Sequence, residues 1–455
     1  MGLNKRNEMK KKWKLKFTYT QMIAFGFFML IMLGSLLLCL PVASAKSQWT
    51  PFLDAMFTAT SATCVTGLVV YDTYTHWSLF GQIIIIILIQ IGGIGFMTVI
   101  TMFSLVLKRN ISLHERKLIM QSAGAINVGG IVALVKKVAA LTFLIEGTGA
   151  CLLAIRFIPE RGIADGIYAA VFHSISAFCN AGFDLMGKYE EFSSLTRYPS
   201  DPIVNLTICA LILIGGLGFS VWSDLGKNKL RWSRYQLHTK LVLMMSGILL
   251  IGGTILFFIF EFHATQEGMS FLERLTASLF EATTPRTAGF NTTDINALSE
   301  SGSILTIVLM FIGGNPGSTA GGIKTTTLLV LIMSISATCS HSPNITVFKR
   351  KLEDTIARQA AAIVSIYMIA ILAASLVICA IEPINLRQVL FETVSAAGTV
   401  GLTTGITPGL SALSKCIIMF LMFGGRVGGL SLALVLSEKR VHVPIERPLE
   451  KIMIG

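Results

Sequence analysis

Long apolar runs alternate along the chain with apolar segments that stop after about three turns of helix. Runs near 17–41, 138–158, 239–262 and 359–381 reach the roughly 20 residues that a helix needs to cross a hydrocarbon core about 30 Å thick. Each is followed by a short segment, "FLDAMFTAT", "GIYAAVFHSI", "RLTASLFEA" or "RQVLFETV". At about 11 residues and 1.5 Å per residue these span only about 16 Å, so the pattern predicts half-membrane helices that turn back. A polar loop then carries a glycine, in "SATCVTGL" at 61–68, "SAFCNAGF" at 176–183, "TTPRTAGF" at 283–290 and "SAAGTVGL" at 395–402. A further apolar run follows, with a glycine pair 23 to 33 residues after the loop glycine, in "IGGIGF", "IGGLGF", "IGGNPG" and "FGGRVG".

Span, half-helix, glycine loop and span thus recur four times, which predicts an all-α integral membrane protein with eight transmembrane helices and four re-entrant half-helices. The units divide the chain at 1–110, 111–230, 231–345 and 346–440, with a tail at 441–455. In the third, Phe280 precedes Gly289 by nine residues where the others have ten, which predicts a one-residue shift at that helix-to-loop junction. The glycine pairs are expected to permit close helix packing.

Composition agrees: 53% of the 455 residues are hydrophobic and 14% charged, and the mean hydropathy is +0.71. The net charge of +12 is concentrated, with 26 of the 37 Lys and Arg in residues 1–16, 108–137, 227–240, 349–358 and 439–451. That is the positive-inside pattern, which predicts a multi-pass membrane protein with both termini cytoplasmic. No block interleaves basic residues with aromatics along an extended face, so nucleic acid is not an expected partner; the lipid bilayer is. Most of the eight cysteines fall inside apolar spans, and no CxxC, HExxH, Walker or GxGxxG motif appears.

Non-helical backbone inside a membrane is tolerated where it is buried in protein or lines a water-filled cavity, and four such loops suggest a cavity. Rings of backbone carbonyls can replace the water shell of a dehydrated cation, and a glycine frees the backbone to turn them inward. Half-helix C-terminal ends, which carry partial negative charge, would favour cations there.

On "TVGL"-like loops with one glycine, "TPRTAGFN" at 284–291, "GSTAGGIKTTT" at 317–327 and "GGRVGGL" at 424–430, the sequence resembles the Trk/Ktr/HKT superfamily of potassium transporters, from about Phe17 to Leu436. It is most similar to the membrane subunits of bacterial Ktr systems, of the KtrB or KtrD type. The resemblance implies a gated, channel-like potassium translocator rather than an enzyme, with sodium stimulation a feature of the family. It implies a potassium filter at Thr63, Cys64, Val65, Thr66 and Gly67; Phe178, Cys179, Asn180, Ala181 and Gly182; Thr287, Ala288 and Gly289; and Gly398, Thr399, Val400 and Gly401. It implies an intramembrane gate at 313–327, with Gly313, Gly314, Gly317, Ser318, Thr319, Gly321, Gly322 and Lys324 beside Arg426. Five glycines and Pro316 within 313–322 predict a broken helix there, and an extramembrane linker is the bland alternative.

Arg426 is expected in mid-span as an electrostatic barrier, Arg286 as a bridge between loops, and Glu392 at the start of the fourth half-helix, either capping it or pairing with a filter-supporting group. The resemblance further implies a homodimer, with 441–450 in the contact, and a cytosolic octameric ring of RCK subunits of the KtrA or KtrC type. Nucleotide would bind only to that ring, which the basic loops near 108–120 and 226–240 would face. The main alternative is the potassium-binding subunit of an ATP-driven, Kdp-like pump, expected to carry extra spans. A secondary carrier with inverted repeats fits less well, because the four units run in one direction.

Overall fold

The computed structural model describes residues 19–95, 98–99, 101–102, 131–229, 231–342, 344–348 and 350–428. The basic segment 1–16, the loop near 108–120, Gly429 and Leu430, and the tail at 441–455 lie outside them.

Among the described residues the structure is helical apart from one two-stranded hairpin. The helices are α1 (Tyr19–Cys39), α2 (Phe52–Cys64), α3 (Thr73–His76), α4 (Leu79–Ile94), α5 (Ile131–Arg161), α6 (Ile163–Cys179), α7 (Pro202–Leu217) and α8 (Phe219–Asn228). They continue as α9 (Leu237–Phe260), α10 (Phe271–Thr283), α11 (Glu300–Phe311) and α12 (Thr325–Cys339). The hairpin β1 (Thr346–Val347) and β2 (Arg350–Lys351) precedes α13 (Asp354–Ile381), α14 (Leu386–Gly398) and α15 (Ala412–Val427).

Four helices, α1, α5, α9 and α13, are long and apolar enough to cross a membrane, and α7 with α8 makes a fifth candidate bent by 94°. Their exposed faces carry residues such as Phe25, Leu33, Phe143, Ile155, Ile251, Ile259, Ile369 and Leu376. Such faces suit lipid, which asks for no polar complement. This is a membrane protein.

The short helices α2, α6, α10 and α14 have 13, 17, 13 and 13 residues, longer than the 11 expected from the pattern. Pro51, Gly162, Ser270 and Asn385 mark their starts, upstream of the apolar positions that signalled them. Each buries the same phenylalanine, Phe57, Phe172, Phe280 or Phe391, to 1% exposure or less. Burying one such side chain contributes about 1.5–3 kcal/mol, so these four rings fix the depth of the helices in the packing. The helices that follow the loops, α4, α7, α11 and α15, start on Ser78, Asp201, Ser299 and Ser411, whose side chains accept from the first-turn backbone N–H groups.

One expectation changes. Glycine does more in the late apolar runs than permit packing: α4, α7 and α15 stop at Gly95, Gly218 and Gly428, with φ of 92°, 101° and 98°. A positive φ ends a helix, so these runs break as the third one does.

Candidate ion path

In each of α2, α6 and α14 the helix closes on a left-handed residue rather than on glycine. Val65, Asn180 and Thr399 have φ of 58°, 61° and 52°. The next N–H reaches back five residues: Thr66 to the Ser61 carbonyl at 2.8 Å, Ala181 to Ser176 at 2.8 Å and Val400 to Ser395 at 2.9 Å. This is a Schellman closure. The Ser61 and Ser395 hydroxyls also accept from Gly67 and Gly401 N–H at 3.0 Å.

The third loop closes differently. Thr284 is still helical, the Ala288 N–H bonds its carbonyl four residues back at 2.9 Å, and Thr287 takes the positive φ of 77°. The junction is one residue shorter, as the Phe-to-Gly spacing expects. A β-branched residue in this region is strained by about 1–3 kcal/mol, and three of the four loops hold one. The sequence places these four residues in the loops but assigns the conformational freedom to the glycine; a hydroxyl-bearing residue five or six places before the glycine is the signal for the left-handed closure.

Two residues after each of these comes the glycine, with φ of 98° at Gly67, 69° at Gly182, 80° at Gly289 and 94° at Gly401. The four glycines meet in a closed circuit that follows chain order. A Cβ placed on Gly67 would fall 2.5 Å from the Ala181 carbonyl oxygen, and one on Gly182 would fall 2.7 Å from that of Ala288. One on Gly289 would fall 2.5 Å from Val400 O, and one on Gly401 2.2 Å from Thr66 O, which returns to the first loop. Neighbouring αL residues also join: the Asn180 amide and the Thr287 hydroxyl lie 3.1 Å apart. The hydroxyls of Thr63, Thr66 and Thr399 are buried with no partner among the described residues. Buried polar atoms of this kind need water or an ion.

Beneath the loops each unit writes Gly-x-x-Gly: "GGIG" at 92–95, "GGLG" at 215–218, "GNPG" at 314–317 and "GRVG" at 425–428. The first glycine lets the late helix approach the end of a short helix: a Cβ on Gly92, Gly215 or Gly425 would lie 2.1, 2.0 or 2.3 Å from the carbonyl oxygen of Thr63, Phe178 or Ala397. The second position is Gly93, Gly216, Asn315 and Arg426, so the two bulky polar residues stand where the first two units have no side chain. Asn315 donates to the Gly216 carbonyl at 2.7 Å. Arg426 donates to the Gly92 carbonyl, to the Gly93 carbonyl at 3.2 Å, and to the Thr319 carbonyl.

The segment between α11 and α12 is packed inside the protein, largely buried from Ile312 to Ile323. Beyond Gly313 and Gly314, the Gly317 carbonyl accepts from Phe219 N–H at 2.8 Å, and the Ser318 hydroxyl turns back to Asn315 O at 2.7 Å. Thr319 Oγ1 donates to Phe178 O at 3.3 Å, at the end of the second short helix. A Cβ on Gly321 would meet Thr399 Oγ1 at 2.0 Å, and one on Gly322 the Gly398 carbonyl oxygen at 2.9 Å. The segment therefore lies directly against the second and fourth loops. Lys324 Nζ donates within it, to Ala320 O at 2.7 Å and Gly321 O at 3.1 Å.

A family model described as cation transport protein, TrkH, matches residues 5–442. The chain belongs to the TrkH family of cation transport proteins. Over 425 residues it is 40% identical to Ktr system potassium uptake protein B of Bacillus subtilis, covering 92% of this chain and 93% of that one. It is 39% identical over 454 residues to the potassium/sodium uptake protein NtpJ of Enterococcus hirae, covering 98% and 99%. Its fold matches the crystal structure of the potassium transporter TrkH from Vibrio parahaemolyticus with a TM-score of 0.71, at 17% identity, over 94% of this chain and 86% of that one.

Three charged residues of this TrkH-family chain take surroundings that the sequence alone does not specify. Arg426 is in the last turn of α15, two residues before the Gly428 that ends the helix. The Arg286 guanidinium reaches α9, donating to the Ser246 hydroxyl at 3.2 Å and carbonyl at 3.4 Å, and the same hydroxyl accepts from Asn315 Nδ2 at 3.1 Å. Glu392 lies in the middle of α14 and caps nothing. It accepts from the hydroxyls of Thr403, at 3.1 Å, and Thr407, which tie down the chain leaving the fourth loop. Glu281, one residue after Phe280 as Glu392 follows Phe391, does the same through Thr293 at 2.9 Å.

Proposed function

We propose that this chain is the gated, channel-like membrane subunit of a potassium uptake system. The observation that carries the reading is the closed circuit in which each loop glycine abuts the carbonyl preceding the next loop's glycine. Carbonyls of Thr63 to Thr66, Phe178 to Ala181, Thr287 and Ala288, and Gly398 to Val400 are the proposed potassium ligands, with eight full crossings around a pseudo-four-fold path. The names of the Bacillus and Enterococcus relatives support potassium as cargo, and that of NtpJ supports some passage or stimulation by sodium.

One glycine per loop gives fewer well-formed carbonyl rings than the TVGYG filters of potassium channels, and hence weaker discrimination against sodium. The 313–327 segment is the proposed gate: small residues hold it against the loops, and Arg426 and Lys324 add positive charge below them. Both termini are proposed to be cytoplasmic, and the subunit to pair as a homodimer on a cytosolic RCK ring that binds the regulatory nucleotide. No observation of the site favours a pump subunit.

Growth rescue of a potassium-uptake-deficient bacterium at low potassium tests the reading, with Gly67→Ser and Gly401→Ser alongside the parent. Rescue by the parent and loss of potassium preference over sodium in both variants is the expected result. Equal performance by all three proteins sinks it.

A further inference from the structure

Glu146 is the middle residue of the 31-residue helix α5, with 15 residues on either side, and its residue is 5% exposed. At 1.5 Å per residue that places it about 22 Å from each helix end, deep in the apolar layer. Among the described residues no Lys, Arg or His forms an ion pair with it. An acidic side chain at such depth is costly, and a packing role alone would be served by an apolar residue.

Its side-chain partner is Gln90, near the end of α4. The Gln90 Nε2 donates to the two Glu146 carboxyl oxygens at 3.0 and 3.2 Å. The other face of the amide, Oε1, accepts from the Sγ–H of Cys179 at 3.6 Å. Cys179 is the last residue of α6, immediately before the left-handed Asn180 of the second loop. Its sulfur is confined from behind as well, because a Cβ on Gly93 would lie 2.6 Å from it. At the same level Ser174 Oγ of α6 donates to the Glu146 carbonyl at 2.6 Å, so α5 and α6 are registered at this depth.

The chain Glu146, Gln90, Cys179 has a direction. Both carboxyl oxygens accept from the amide nitrogen, which holds that nitrogen toward Glu146 and leaves the amide oxygen for the thiol. With an apolar residue at 146 the amide has no reason to keep that orientation, and its nitrogen can turn toward Cys179. We infer that Glu146 is a positioning residue for the second loop, acting through Gln90 on Cys179 and so on potassium preference over sodium. The inference rests on the filter reading above.

Rubidium uptake into proteoliposomes, competed by potassium or sodium, tests it in Glu146→Leu, Glu146→Gln, Gln90→Leu and the Glu146→Leu/Gln90→Leu double variant. Gly182→Ser is the control on the filter itself. Gly182→Ser should abolish the preference. Glu146→Leu and Gln90→Leu should each lower the potassium-to-sodium ratio on the order of threefold to tenfold, and the double variant no more than either, as for residues in one chain. Glu146→Gln, which can still offer an acceptor, should lower it less than Glu146→Leu.

A parental ratio in Glu146→Leu together with loss in Gly182→Ser overturns this inference and leaves the filter reading intact. Retention of the ratio in Gly182→Ser overturns the filter reading. Should Glu146→Leu fail to fold, Gln90→Leu decides by the same criterion, since a purely structural defect lowers yield or thermal stability without moving the ratio.

Discussion

The loop glycines and the Gly-x-x-Gly motifs beneath them are neighbouring levels built on opposite rules. In the upper level four loops of different sequence adopt one backbone: a positive φ two residues before a glycine that itself has a positive φ. In the lower level four similar motifs present unlike surroundings, because the second residue is glycine in two of them, Gly93 and Gly216, and Asn315 and Arg426 in the others. Carbonyl oxygens do not depend on the side chain that carries them, so the upper level can stay regular while its residues drift. The lower level works through side chains, and one substitution there changes its charge. Proposed binding and proposed gating are thus written in separate parts of the chain.

The largest expected effect breaks the upper level. Gly401→Ala puts a Cβ about where 2.2 Å separates it from the Thr66 oxygen, at a φ of 94°; the rate of potassium uptake should fall at least about tenfold, equivalent to about 1.4 kcal/mol, and growth at low potassium should fall with it. Val65→Asn, which keeps a residue able to adopt the left-handed region, should retain growth. Equal sensitivity at both sites would deny that backbone conformation, and not side-chain identity, defines the level.

Next in size, Arg426→Gly makes the fourth motif like the first two and removes the donor to Thr319 O. Rubidium uptake into proteoliposomes should rise several-fold with an unchanged potassium-to-sodium ratio. A changed ratio would merge the two levels. Thr407→Val removes a donor from the buried Glu392 carboxyl, at a cost of about 1–3 kcal/mol. The midpoint of thermal inactivation in detergent should fall, with the ratio unaltered. The smallest effect belongs to Asn180→Ala, which loses the contact to Thr287 and the residue best suited to a left-handed φ, about 1 kcal/mol. It should lower the same midpoint by less than Thr407→Val does.

Much of the upper level is legible in the sequence. Ser61, Ser176 and Ser395 stand six residues before their glycines, Phe57, Phe172 and Phe391 ten, and the nine of Phe280 marks the junction that closes in four residues. These are short-range relations, and local backbone chemistry fixes them. What the sequence hides is long-range. The Arg286 guanidinium turns to Ser246 on α9, and Glu392 reaches forward to Thr403 and Thr407, choices set by which helix packs behind each loop. Glu146 stands out as an acidic residue within the apolar run at 138–158, but its partner is 56 residues away, and nothing local identifies it. The breaks at Gly95, Gly218 and Gly428 were masked by apolar residues on both sides, which read as one continuous span although only the φ of the last glycine ends it.

Arg426 also bears on how such a protein can be assembled. Four identical subunits around one axis would have to carry that arginine four times, or not at all. Four guanidinium groups facing one narrow path would repel each other and any cation, and a mutation that adjusted one would adjust all. Joining the four units in a single polypeptide releases each position from its copies. One arginine and one asparagine can then face two bare glycines, and natural selection can tune the proposed barrier in steps of a single charge.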